Sequence, residues 1–216
     1  MAPGVSRRDG SAATPHYNDV MEERLSQLVS AAIHEHRDVL SGLERSLIPA
    51  IVDLASRVNT ALSAGGKALI FGNGGSAADA QHFAAELTGR YVRERDPLPA
   101  VALTTDTSAL TAIGNDYGFE EIFARQVRAL AAPGDVALGL TTSGRSANVL
   151  RALDAARKKG ALAVGLTGTP HARLADHCDL VLAVPSAKTA RIQEAHIVIL
   201  HAVCEIVDAL RADDAR

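Results

Sequence analysis

Apolar positions along the chain follow two different rhythms. From about Asn18 to Ser63 they recur every three or four residues. Met21, Leu25, Leu28, Val29 and Ile33 make one stripe, and Ile48, Ile51, Val52, Leu54, Val58 and Leu62 make another beyond a break near Pro49. That period puts them on one face of a helix, so two helices are predicted ahead of the first strand, available as an oligomer interface. After Gly65-Gly66 the pattern alternates instead. Short apolar runs at Ala68–Phe71, Ala100–Leu103, Val136–Leu140, Leu162–Leu166 and Leu180–Val184 read as strands. Helical segments lie between them, notably Ala77–Arg90, Glu120–Ala131 and Ala147–Lys159, and a long helix from about Thr189 to Ala212 closes the chain. Near-continuous apolar strands separated by helices predict an α/β fold, a three-layer sandwich whose central parallel sheet of about five strands is covered on both faces.

In such sheets ligands sit beyond the carboxyl ends of the strands. Three polar loops fall there: Gly72–Ser76, Thr104–Asp106 and Thr141–Ser146. The first, Gly72-Asn73-Gly74-Gly75-Ser76, joins a strand to a helix and can aim backbone N–H groups at an anion. It lacks the lysine of a P-loop and the glycine spacing of a dinucleotide fold, so a nucleotide cofactor is not expected. The third, Thr141-Thr142-Ser143-Gly144-Arg145-Ser146, offers four hydroxyls before a helix, which suits a phosphate monoester. Serine and threonine also favour helix N-caps regardless of function, and both readings stay open.

The helix after the first loop carries His82 and Glu86, four residues apart and therefore on one face, with Gln81 beside them. The pair can ligate a metal or divide acid and base roles; an ordinary buried histidine bonded to a carboxylate has the same spacing. His201 interrupts the apolar run Ile197–Val207, a setting in which a satisfied core histidine is common. Gly114-Asn115-Asp116-Tyr117-Gly118 reads as a turn whose Asn115 and Asp116 can meet sugar hydroxyls.

Composition narrows the partners. Over 216 residues, aromatics are 3% and the net charge is −3, which gives neither a stacking platform nor a basic footprint for nucleic acid or an anionic membrane. No apolar run reaches a membrane-spanning length of about 18 residues. Residues 1–17 carry Arg7 and Arg8 without an apolar stretch after them, so they are expected to be a disordered tail and not a signal peptide. Cys178 and Cys204 read as small core residues of a reduced, cytoplasmic protein.

Four stretches in order, GNGGSAADAQHFAAELTGRY, IGNDYGFEEIFARQV, TTSGRSANV and RIQEAHIVILH, resemble the sugar-isomerase (SIS) domain family and, within it, the bacterial phosphoheptose isomerases. The resemblance runs from about Asn18 to Leu210 and divides the chain into tail (1–17), N-terminal helices (18–64) and SIS domain (65–212). It implies substrate contacts from Asn73, Gly74, Gly75, Glu86, Asn115, Asp116, Thr141, Thr142, Ser143, Ser146 and Gln193. It implies a metal set, usually zinc and one per subunit, of His82, Glu86, Gln193 and His201, with Glu86 and His201 as the catalytic acid/base pair.

The reaction implied is isomerisation of D-sedoheptulose 7-phosphate to D-glycero-D-manno-heptose 7-phosphate through an enediolate, the first step toward nucleotide-activated heptoses. The partners implied are a phosphorylated seven-carbon sugar and further copies in a homotetramer, with no nucleic acid and no membrane. Gln193 and His201 are eight residues apart, about 12 Å along one helix and about 80° around it, so a complete site is expected to draw on more than one subunit. A binding-only SIS relative, of the kind that binds the bacterial replication initiator, is disfavoured because that relative lacks a glutamate at the position of Glu86. The arginine-to-glutamate pattern Arg191–Glu194 with His201 suits the heptose family better than isomerases of arabinose or hexulose phosphates, and no DNA-binding segment supports a regulator's sensor domain.

Overall fold

The computed structural model describes residues 17–170 and 172–214. Apart from Tyr17, the tail expected at 1–17 lies outside the described residues. The chain divides into two units, Met1–Glu35 and His36–Arg216. The described part of the first is helical throughout, and its apolar stripe is exposed: Leu25 and Leu28 are 55% and 61% accessible, and Val29 and Ile33 both 62%. This helix, α1 (Tyr17–Ser46), runs on into the second unit. It ends where predicted: Leu47 separates it from α2 (Ile48–Ser63), with Pro49 in the first turn, where its missing N–H costs nothing.

In the second unit five strands appear in the predicted places: β1 (Ala68–Gly72), β2 (Ala100–Ala102), β3 (Val136–Thr141), β4 (Leu162–Thr167) and β5 (Leu180–Ala183). All pair in parallel, in the order β2-β1-β3-β4-β5. Between them and after them come α3 (Gly75–Thr88), α4 (Thr107–Tyr117), α5 (Ile122–Leu130), α6 (Ala147–Lys158), the single turn α7 (Ala172–Ala175) and α8 (Thr189–Asp214). Alternate strand residues feed two cores. Ala68, Ile70, Leu138 and Leu166 meet α2, α3 and α8 on one face, while Leu69, Phe71, Ala137 and Ala163 meet α5 and α6 on the other.

One prediction needs correction. Gly114–Tyr117 is the last turn of α4, not a free turn, and Gly118 at φ +92° ends the helix. Only a short apolar face marks α4: Leu110 and Ile113 pack half-buried against the core, none of its residues is fully buried, and it starts on a side-chain cap, Ala109 N donating to Asp106 Oδ1 at 2.9 Å.

The strand order places a topological switch between β1 and β3. The chain leaves β1 for β2 on one side and later enters β3 on the other, so the loops after β1 and β3 diverge and leave a crevice between them. These are the loops Asn73–Gly74 and Thr142–Ser146.

Candidate active site

The helices α3 and α8 cover the same sheet face, and their contacts follow chain order on both. Gln193 packs on Gly75 at the start of α3, where a Cβ would lie 2.4 Å from Gln193 Nε2. Further along, His201 Nε2 lies 3.0 Å from His82 Nε2. Beyond that, Asp208 bonds the segment that follows α3. The two helices therefore run side by side in the same direction. This pairing brings His82, Glu86 and His201 together from positions that are 119 residues apart in the case of the histidines.

His82 is the centre of the cluster: Glu86 Oε1, at 3.1 Å, and His201 Nε2 both approach its Nε2. The two imidazole rings are 5.0 Å apart, and Tyr91 packs its ring 5.6 Å from that of His201. One donor atom from each of His82, Glu86 and His201 lies within 4.8 Å of the others. Two histidine nitrogens and a carboxylate oxygen suit zinc, whose tetrahedral ligands at about 2.1 Å stand roughly 3.4 Å from one another. The donor set fits. The His82 side chain is 47% accessible, so the cluster faces outward in the single chain.

Asp79, one turn before His82, has its carboxyl pushed up to about 6 by burial, opposed by the neighbouring His82. Burial likewise lifts the Cys204 thiol to about 12, helped by the charge of Glu86, and the Cys178 thiol to about 12, helped by Asp179. Cys204 lies in the core as expected from the sequence, while Cys178 is half-buried against it.

At the switch point side-chain amides join the loop after β1 to the first turn of α6. Asn73 Nδ2 donates to Asn148 Oδ1 at 3.0 Å, and Asn148 Nδ2 donates to Asn73 Oδ1 at 2.8 Å. Ser146 occupies the N-cap of α6, but its hydroxyl makes no capping bond and pairs with Thr141 Oγ1 at 3.0 Å. The ordinary N-cap explanation of this serine is thereby removed. Thr141 is buried, Thr142 is half-buried, Ser143 is exposed, and Gly144 turns at φ +65°. The loop's hydroxyls thus line a short turn that is open to solvent at Ser143.

Two predicted groups stand apart from the cluster within one chain. Gln193 sits eight residues, about 12 Å of helix, before His201. Asn115 and Asp116 are exposed, bond each other at 2.8 Å, and lie about 13 Å along α4 from the Asp106 cap at the sheet's carboxyl edge. Sequence reasoning missed Asn148, although it lies inside the stretch TTSGRSANV. The available signal was an amide among the buried Val149, Leu150 and Leu153 of α6. It also missed Arg95 and Asp208, whose pairing spans 113 residues and leaves no local pattern.

Residues 33–168 match the model of the SIS domain family. The phosphoheptose isomerase of Geobacter metallireducens is 54% identical over 184 residues, 85% of this chain and 97% of that protein. That of Rhodospirillum rubrum is 58% identical over 160 residues, 74% of this chain and 85% of that protein. The structure of phosphoheptose isomerase GmhA from Neisseria gonorrhoeae superposes with a TM-score of 0.81 at 48% identity, covering 86% of this chain and 99% of that one. With the sheet order, the two switch-point loops and the α3–α8 cluster in place, the chain belongs to the SIS-domain family and, within it, to the phosphoheptose isomerases.

Proposed function

We propose that the chain converts D-sedoheptulose 7-phosphate to D-glycero-D-manno-heptose 7-phosphate, with Glu86 and His201 as the proton carriers. The convergence of these two side chains on His82, between α3 and α8 on one sheet face, together with the hydroxyl-rich loop after β3, carries this reading. In the forward direction a proton leaves C1 and the carbonyl at C2 becomes an enediolate; the proton then returns at C2 as the carbonyl forms at C1. A second proton moves from O1 to O2. Glu86 serves as base toward carbon and His201 as acid/base toward oxygen. Thr141, Thr142, Ser143 and Ser146 hold the distant phosphate, so its binding energy positions C1 and C2. Asn73, Gly74 and Gly75 shape the opposite wall.

His82, Glu86 and His201 would hold a zinc ion, which when bound polarises the sugar carbonyl. A dication on Glu86 also weakens it as a base. The proton-carrying role of Glu86 is therefore primary, and the metal is expected to assist without being indispensable.

What one chain leaves open supports assembly with further copies. Gln193 points at Gly75, two turns from His201, and the His82 side chain is half exposed. A second copy of the chain would cover the cluster and bring its own Gln193, and with it Asn115 and Asp116, toward the sugar. The exposed stripe Leu25, Leu28, Val29 and Ile33 supplies apolar surface for such assembly, in a homotetramer. A cytoplasmic location fits the thiols and the phosphorylated substrate; among the described residues no helix is long and apolar enough to cross a membrane. Incubation with sedoheptulose 7-phosphate, with and without a chelator, tests the reading. Aldose heptose 7-phosphate is expected, and its absence under both conditions defeats the assignment.

A further inference from the structure

Where α3 ends, a buried charge pair joins it to α8. Asp208 is 4% accessible and the Arg95 side chain 9%. Arg95 Nε donates to Asp208 Oδ1 at 2.8 Å. The other arms of the same guanidinium reach back to α3: Nη2 donates to the carbonyl of Glu86 at 2.8 Å, and Nη1 to that of Leu87 at 2.9 Å. These carbonyls belong to the last turn of α3, where the helix itself supplies no donors and a cation is favoured. Asp208 Oδ2 meanwhile accepts from the backbone N–H groups of Val92 at 3.2 Å and Arg93 at 3.0 Å. Those residues directly follow Tyr91, whose ring rests on His201. Burial alone would raise the Asp208 carboxyl, but the bonds from Arg93, Arg95 and Val92 hold it below its usual value.

We infer that Arg95 and Asp208 are positioning residues, which set the backbone of Glu86 and the ring of Tyr91 against the helix that carries His201. Asp208 is seven residues beyond His201 on α8, about 10 Å along the same rigid helix. Every link from it to the cluster is short: through Arg95 to the Glu86 carbonyl, and through Val92 and Arg93 to Tyr91 and so to His201. Stability is a poor reason for such a pair, since well-packed apolar residues of similar volume are often as stable as a buried ion pair. A guanidinium whose three nitrogens each donate to a different partner supplies direction, which an apolar contact cannot.

The inference rests on the reading of Glu86 and His201 as the proton carriers, and the test separates the two. Glu86→Gln is the control for that reading. Three variants probe the pair in the full-length protein: Asp208→Asn, Arg95→Lys, and the apolar replacement Arg95→Met with Asp208→Leu. Each is assayed with sedoheptulose 7-phosphate well below its own Tm. A fall in kcat of about 10- to 100-fold with KM held within about twofold is expected, because the phosphate loop is untouched while the reacting groups are displaced. The apolar double variant should lose kcat even where its Tm matches the parent. Wild-type kcat in any folded variant overturns the proposal, as does a rise in KM that matches the fall in kcat. If Glu86→Gln is fully active, the proton-carrier reading fails and the positioning role falls with it. If Glu86→Gln is inactive and Asp208→Asn is not, the positioning role alone fails.

Discussion

Asn73 and Asn148 hold each other by both amide groups, and this reciprocal pair ties the loop after β1 to the first turn of α6, which follows the β3 loop. Asn148 is 3% accessible, and its Oδ1 also accepts from Val149 N at 2.9 Å. The wall formed by Asn73, Gly74 and Gly75 is thus tied to the helix that opens on the Thr141–Ser146 loop. Replacing Asn148 with alanine leaves Asn73 without its partner, at a cost of about 1–3 kcal/mol. Urea unfolding should register that loss, and KM for the sugar phosphate should rise more than kcat falls. An unchanged KM would mean that the pair does not shape the pocket.

Glu86→Gln and His201→Ala should each lower kcat by about 10²- to 10⁴-fold with the fold intact, the usual span for a lost acid/base group. Far-UV circular dichroism together with steady-state kinetics decides the point, and full turnover in either variant rules out its role.

Metal binding at the cluster should show itself apart from activity. Zinc at 100 times its dissociation constant adds about 2.7 kcal/mol to folding stability, so Tm should climb with zinc concentration. His82→Ala removes the central donor and should abolish the rise. A rise of the same size in that variant would place the ion elsewhere.

Gly75→Ala directs a methyl group into the end of the Gln193 side chain, which is flexible and can move aside. The variant should keep its Tm while losing activity to the same degree as Gln193→Ala. Equal activity of Gly75→Ala and the parent would show that the placement of Gln193 against Gly75 has no bearing on turnover.

His196 is fully buried on α8, and burial pulls its imidazole down to about 4, opposed by a bond to the Thr167 carbonyl at 3.4 Å. Unfolded, the same ring titrates near 6.5. Between these values the unfolded chain binds the extra proton, so stability is complete above about 6.5 and is lost as the pH falls toward 4, by about 3 kcal/mol at most. His196→Gln has no such proton to take up. The difference in unfolding free energy between parent and variant should therefore narrow on acidification from pH 7 to pH 4. A constant difference would mean that the ring does not titrate as its burial implies.

The strands, the order of loops and most helices were legible because each leaves a local trace. Runs such as Val136–Leu140 are apolar at every position only when both sheet faces are covered, and Pro49 marks a helix start by its own geometry. α4 left only a faint trace, since its apolar face is the half-buried pair Leu110 and Ile113 and none of its residues is fully buried. The glycine-rich turn, His82 and Glu86 were visible as neighbours in sequence, and the family motifs pointed to His201 and Gln193. What the chain could not express along its length was distance. The meeting of His201 with His82, the separation of Gln193 from both, the Asn73–Asn148 pair and the Arg95–Asp208 clamp depend on α3 and α8 lying side by side on one sheet face and on β1 adjoining β3. Local pattern selects an element because the backbone repeats every 2 or 3.6 residues. Convergence of side chains 75 to 119 residues apart is decided by how those elements pack, and packing alone tells which of the candidate groups can act on one sugar.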